Sequence, residues 1–537
     1  MAAANPPANV AFPVPHAPAL PRTGWLGLEY KWLVLIAMLP GFTVFLLDVT
    51  IVNVALARLG SVFDVDYASV QWVITGYSLA SGMATPMASF MEMRFTMKRI
   101  WVGALAVFTA SSVLCGLAPT FWILVVGRII QGFAGGMMLP MAISTLFQVF
   151  PANQRGQAMG FFAIPMVAGP ALGPTIGGYI VTNWDWRLVF FVNLPIGIVA
   201  VALGILALHP GRPRLGIRFD TLGAILSSLA FGLTLFGLSR VNADGWGSLT
   251  VRGCIGVGLA SLLVFILYEL NREDPLLNMR LFAMPQFFIA NVVGWVSTIA
   301  LFGAEFMLPL YLQNLRGMSA VDTGLMLMPQ GLSVAFAGPI AGRLVDRIGA
   351  RWVSMFGFAL LAFNTWQMSQ ISATTSFDDL KLLLVVRGLA LGCTMQPTQL
   401  SAMAVVPPQL RTNASSLNNA MRNVFQSFGV AMLSTVVTSQ TVVHSMVLSW
   451  DVRPDTMQGQ AMPQLSATLQ QSAGLNGQIA DMAAMSMMLR QIGEQAAVLA
   501  FGDAYRITFF AAVIAFFLAM LLPGRIKADP SAMAGGH

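Results

Sequence analysis

The chain has 537 residues, of which 56% are hydrophobic and 9% charged, with a formal net charge of +7. A soluble domain carries roughly 25% charged residues, and no soluble fold hides this much apolar surface. Despite the positive charge, the composition therefore excludes a nucleic-acid-binding domain and predicts an all-α polytopic membrane protein.

Residues 1–30 begin with an Ala- and Pro-rich stretch that lacks the basic start, apolar core and cleavage site of a signal peptide. They read as a disordered cytoplasmic tail. A spanning helix needs about 20 mostly apolar residues. Such stretches begin near 32, 70, 99, 121, 160, 188, 219, 252, 286, 320, 349, 379, 413 and 504, which makes fourteen spans. With both termini inside, most Lys and Arg fall in inner joints, among them Arg94, Lys98, Arg155, Arg343, Arg347, Arg351 and Arg411. That is the asymmetry expected of a multi-pass protein of the cytoplasmic membrane.

Three sequence echoes divide the spans. Pro151 to Arg155 corresponds to Pro407 to Arg411 at an offset of 256; Arg128 corresponds to Arg387 at 259, and Arg94 to Arg347 at 253. Similar offsets in the same order predict two six-helix halves, 31–210 and 281–526, separated by two extra helices in 211–280. Parallel halves of this kind characterise secondary transporters with binding sites at the interface between repeats. The second half includes a long outer loop, 441–503, whose part from Leu465 to Leu499 has helical periodicity. A cytoplasmic tail, 527–537, closes the chain.

Within the spans, charge is rare enough to list by name. Asp48 lies in the first span within Leu47-Asp48-Val49-Thr50-Ile51-Val52-Asn53-Val54-Ala55-Leu56. A carboxylate there costs about 2.5 to 3.5 kcal/mol on insertion scales and marks a functional site by default; a structural hydrogen bond is the competing reading. In the fourth span, Arg128, Gln131 and Gly135 share a helix face. Arg128 needs an acid, carbonyls or water as partner, and Asp48 is the candidate acid. In the fifth span Gly169, Gly173 and Gly177 recur every fourth residue with Pro170, Pro174 and Gly178 among them, forming a smooth face for a close helix approach. Glu305, in the first span of the second half, is a second embedded acid, with function and structure evenly matched. Arg387 and Arg422 complete the set, Arg422 reading as a structural anchor beside Asn418 and Asn419.

These residues resemble the major facilitator superfamily and, within it, the fourteen-helix drug:proton antiporters of the EmrB and QacA type. The resemblance covers nearly all of residues 30–526. Its carriers are the Asp48 segment, the Arg128 segment, the Gly169–Gly178 run, and a gating motif intact in the second half as Gly342, Leu344, Asp346, Arg347, Gly349 and Arg351. The first-half copy, Ser89 to Arg99, keeps Arg94 but has Met93 at the acid and Ser89 and Thr96 at the glycines; Glu92 is one position off. The resemblance implies the major facilitator fold and proton-coupled export of lipophilic drugs or other small toxic compounds by alternating access. Asp48, Arg128 and Glu305 would couple protons, the Gly169–Gly178 run would shape the substrate cavity, and the Gly342–Arg351 motif would latch the cytoplasmic gate. It also implies a bacterial inner-membrane location, with a periplasmic adaptor and outer-membrane channel as partners; an external flap is the competing reading of the 441–503 loop.

Other classes find little support. The chain has no Gly-Lys phosphate loop, no His-Glu-x-x-His and no Cys-x-x-Cys, and Cys115, Cys254 and Cys393 are too scattered for a metal. No enzyme activity, cofactor or metal is expected. An exporter of a specific endogenous metabolite or lipid-like molecule is the main alternative, and a non-transporting membrane enzyme or receptor the alternative of another class. Two embedded acids are few for dications, which points to a monovalent or neutral lipophilic substrate.

Overall fold

The computed structural model describes residues 27–211, 219–272, 275–372, 374–450, 457–473 and 476–524. Nearly all of the first tail and all of the second lie outside them. Among the described residues the chain is helical, without a strand. In hydrocarbon, a spanning segment must satisfy its backbone groups internally, which a helix does along its own length.

The first half comprises α1 (Tyr30–Phe63), α2 (Trp72–Ala84), α3 (Met97–Gly116), α4 (Phe121–Val149), α5 (Arg155–Asn183) and α6 (Asn193–Ala207). The axis of α2 continues through a tight turn, Thr85–Met87, into a further helical piece, Ala88–Phe95. Two further helices, α7 (Thr221–Asp244) and α8 (Leu249–Leu270), follow. The second half comprises α9 (Pro285–Leu310), α10 (Ala320–Ile348), α11 (Ala350–Met368), α12 (Phe377–Ala404), α13 (Arg411–Trp450) and α14 (Gly477–Ala519), with a short helix, Met457–Ala473, before the last. Ten of the described helices are long and apolar enough to cross a membrane.

Helix starts follow local chemistry. The side chains of Asp220, Ser319, Ser376 and Asn476 each accept a hydrogen bond from the backbone N–H three residues on, occupying donors that the first helical turn leaves free. The segment expected as a long outer loop is mostly helix instead: α13 runs on to Trp450, and α14 begins at Gly477 rather than near 504. Its Ala, Met and Gln are strong helix formers, so the chain continues in helix beyond its apolar stretch.

The two halves meet where α5 and α10 run antiparallel in close contact. A Cβ added at Gly156 would come within 2.1 Å of the Gly342 carbonyl oxygen, and one at Gly160 within 2.4 Å of that of Gly338. The same α5 also packs on α1. Helix α7 touches both α2 and α13; Trp72 stacks on Phe236, and Trp246 donates to the Thr435 hydroxyl at 2.8 Å.

At the start of α11, Gly349 adopts φ 92°, and at the start of α3 its first-half counterpart Thr96 adopts φ 79° with ψ 150°. The turn has therefore outlived its glycine. A side chain held in that region costs about 1 to 3 kcal/mol. Thr96→Gly is expected to stabilise the protein by about 1 kcal/mol, read as a raised melting temperature in detergent, while Gly349→Thr lowers it; a neutral Thr96→Gly contradicts the strain.

Candidate functional site

Asp48 sits midway along α1, with 0% exposure. Its carboxylate accepts from Arg128 Nη1 at 2.5 Å, Asn193 Nδ2 at 2.6 Å and Gln131 Nε2 at 3.1 Å. Four helices contribute: α1 carries the acid, α4 the arginine and glutamine, α6 Asn193, and α3 Ser112, whose hydroxyl accepts from both Gln131 and Asn193. Arg128, 1% exposed, also donates from Nη1 to Gln131 Oε1 at 2.7 Å and from Nε to the Val73 carbonyl at 3.1 Å, and it lies over the Tyr77 ring at 4.1 Å. Charge-assisted bonds of this kind are roughly twice as strong as neutral ones. They offset the desolvation of both ions.

The second half holds a looser counterpart. Glu305 in α9 lies 3.4 Å from Arg387 Nη2 in α12, and Gln330 Nε2 in α10 donates to both carboxylate oxygens at 2.9 and 3.0 Å. Arg387 is fully buried while the Glu305 side chain is 32% exposed. Arg387 donates to the Leu301 carbonyl at 3.3 Å, but its Nε and Nη1 have no partner among the described residues. The two pairs occupy corresponding helices of the two halves, acid on the first and arginine on the fourth.

The glycine run of α5 forms a contact with α1. Added Cβ atoms at Gly169, Gly173 and Gly177 would meet Leu46, Thr50 and Ile51 respectively, and the Thr50 hydroxyl donates to the Gly169 carbonyl at 3.1 Å. Small residues thus let the Asp48 helix lie against α5. Gly178 is buried and Pro174 partly so; the side chain of Pro170 is outside the described residues.

At the end of the bundle where α5 begins, the Asp346 carboxylate accepts from the Gly156 and Gln157 amides at 2.9 and 3.2 Å. An acid there meets free N–H groups and the positive end of the α5 dipole. Gly342, one turn earlier on α10, lies against Gly156. Arg351 donates to the Leu522 carbonyl at 2.8 Å. Exposed Arg347 and half-buried Arg94 form no ion pair among the described residues. In the first half, Glu92 faces Thr412 in the first turn of α13 and Gln148 on α4. Thr412 also bonds Ser144 at 2.6 Å, and Arg411 donates to the Phe147 carbonyl at 2.8 Å. The displaced acid therefore reaches the helix start that its repeat position implies.

Several site residues escape a sequence reading. Asn193 is a lone amide at the start of an apolar stretch, and Ser112 gives no signal. Glu269, near the end of α8 and 1% exposed, is a further buried acid inside an apolar helix. Among the described residues no cluster of His, Cys, Asp or Glu could hold a metal.

The sequence profile of the Major Facilitator Superfamily matches residues 38–430. The chain belongs to that superfamily. It is 32% identical over 410 residues to the Bacillus subtilis protein YhcA, named as an uncharacterized MFS-type transporter, covering 76% of this chain and 77% of that one. It is 33% identical over 447 residues to a Mycobacterium tuberculosis multidrug resistance protein B homolog, covering 81% and 82%, and 31% identical over 390 residues to the lincomycin resistance protein LmrB of Listeria monocytogenes, covering 73% and 83%. Among solved structures, a double-tryptophan mutant of XylE matches with TM-score 0.56 at 14% identity, covering 92% of this chain and 99% of that one. The human transporter MFSD10 matches with TM-score 0.55 at 12% identity, covering 90% and 99%. These likenesses carry the fold, which is the major facilitator fold, and the protein is a multi-pass membrane transporter of that superfamily.

Removing one member of a buried ion pair strands the other. Asp48→Asn, which leaves Arg128 without a counter-charge, is expected to destabilise the protein by about 3 to 5 kcal/mol, and Asn193→Ala by about 1 to 3 kcal/mol. Thermal denaturation of the purified variants checks the order, and an Asp48→Asn protein as stable as wild type would refute it.

Proposed function

We propose that this transporter is a proton-coupled antiporter that exports lipophilic small molecules by alternating access, crossing the cytoplasmic membrane of a bacterium fourteen times with both termini inside. The observation that carries the coupling is the duplicated acid–arginine pair. One carboxylate faces one arginine at matching places in each half, in a medium where charge is otherwise nearly absent. The names of the lincomycin and multidrug resistance relatives support drug export.

In this reading a proton neutralises the carboxylate and releases the arginine, and the changed charge balance favours the alternate arrangement of the halves. Glu305 is the more readily exchanged group, being 32% exposed and held by a longer contact than the sealed Asp48. The latch of Asp346 on the start of α5 holds the cytoplasmic side shut, with Glu92 as its first-half counterpart. The helical segment within 441–503 stands outside the membrane, where it serves as the docking point for a periplasmic adaptor leading to an outer-membrane channel. One proton moving down 100 mV yields about 2.3 kcal/mol, and each tenfold pH difference adds about 1.4 kcal/mol.

Everted vesicles containing the protein, supplied with a panel of lipophilic dyes, are expected to accumulate dye and release protons together. Dye movement that survives collapse of the proton gradient rules out antiport. In the same assay Glu305→Gln should abolish coupling. Asp346→Asn, which weakens an acceptor of two backbone N–H groups, should impair efflux more than Glu92→Gln; equal or reversed losses count against the proposed latch.

A further inference from the structure

Helices α3 and α6 pack side by side, and both belong to apolar segments long enough to span the bilayer. They run antiparallel. A Cβ added at Gly197 would meet the Thr109 side chain, and one at Gly204 would meet Val102, so the two backbones approach closely along their contact. Outside that contact the side chains are short. A groove of about 440 Å³ opens there, lined by Ala106, Ala110 and Val113 of α3 and by Ile198, Ala202 and Ile205 of α6. Ile198 and Ile205 are 57% and 51% exposed. Thr109, the polar residue of the lining, donates its hydroxyl to the Leu105 carbonyl at 2.7 Å. The wall is therefore apolar. From Leu194 to Ile205 the groove follows α6 over a rise of about 16 Å.

Charge marks one end of it. Lys98 Nζ donates to the carbonyl of Ile205 at 2.6 Å, and an ammonium has three N–H donors. Two remain open. Arg99 beside it is exposed, and neither residue forms an ion pair among the described residues. No acid lines the groove. Glu29, next in sequence to the Tyr30 hydroxyl that accepts from the His209 N–H, is already paired with Lys31. The competing reading makes Lys98 a cap for a carbonyl left free in the last turn of α6. That accounts for one donor, and leaves Arg99 and the groove unexplained.

Inside a bilayer no hydrophobic force draws a protein partner onto an apolar face, whereas a lipid chain fills a groove through many small dispersion contacts. We propose that the groove between α3 and α6 binds one anionic phospholipid, its acyl chain lying along Ala106, Ala110 and Ala202 and its phosphate held by Lys98 and Arg99. Only the leaflet, the cytoplasmic one, rests on the proposed orientation; anionic headgroups there attract basic residues. The far end of the groove lies at Val113 and Leu194, the sequence neighbours of Ser112 and Asn193, which bond each other at 2.9 Å beside Asp48. A bound chain thus braces two helices of the buried network from outside.

The test uses the full chain in detergent, stripped of lipid and titrated with dioleoyl phosphatidylglycerol or dioleoyl phosphatidylcholine, with retained lipid read by native mass spectrometry. The two lipids share their chains and differ in net charge. Wild type is expected to hold one phosphatidylglycerol at least tenfold more tightly than phosphatidylcholine. A basic residue near an anionic surface is worth about fivefold in affinity, so Arg99→Gln should lower the preference by about that factor, and Lys98→Gln with Arg99→Gln should remove it. Ala106→Phe puts a ring into the groove from an exposed position and keeps both charges. It should weaken phosphatidylglycerol at least tenfold, which general charge attraction does not predict. Should the double variant not fold, Arg99→Glu must erase the preference. Equal retention of the two lipids by wild type, or wild-type affinity in Ala106→Phe, overturns the proposal. So does displacement by glycerol phosphate alone, which makes the site one for phosphate, or a dimer that Ala106→Phe dissolves, which assigns the groove to a second copy. Binding in detergent needs no transport, so failure here leaves the export reading standing, and a lipid-bound protein that exports nothing defeats that reading alone.

Discussion

A charge inside hydrocarbon needs a partner, and the first half of the molecule is arranged around one such pair. Asp48 and Arg128 are sealed from solvent, and with Gln131, Asn193 and Ser112 they form a polar network that draws on four helices. The pair therefore ties α1, α3, α4 and α6 together through polar contacts in a region where apolar side chains provide no preference for one neighbour over another, because lipid tails are as apolar as they are. The glycine face of α5 then lies against α1 beside the acid, with Thr50 bridging the two. Polar specificity and close backbone approach act on the same helix, one from each side.

The halves are duplicates in plan and differ in finish. Where the first half surrounds its carboxylate completely, the second leaves Glu305 partly exposed and two nitrogens of Arg387 without partners among the described residues. Where the second half keeps the Gly342–Arg351 motif intact, the first has Ser89 and Thr96 at its glycines and its acid one position off. Each half is thus complete in one respect and reduced in the other. The same plan thus holds one pair sealed and closely bonded and the other partly open and loosely bonded.

Much of this was legible in the sequence, and the reasons are physical. Apolar stretches of bilayer length placed thirteen helix starts to within a few residues, from Tyr30 to Arg411. The last failed because helix α14 begins well before its apolar part, and hydropathy detects lipid contact rather than helix. The pairing of Asp48 with Arg128 was readable because two opposite charges embedded in one half have few alternatives. Asn193 and Ser112 were not, since a neutral polar side chain reveals its partner only once the helices are assembled. Arg422 was read as a structural anchor; that its buried Nε has no acceptor among the described residues is a fact of three dimensions that no spacing encodes.

The placement of α7 has its own consequence for the symmetry of the molecule. Two seams run between the halves, one where α5 meets α10 and one beside α2 and α13. Helix α7 touches both members of the second seam and so bridges it, while α5 and α10 face each other directly through paired glycines. The two flanks are therefore closed by different means: an inserted helix bridges one, and direct backbone contact joins the other. The added pair gives an otherwise twofold body a front and a back in the plane of the membrane.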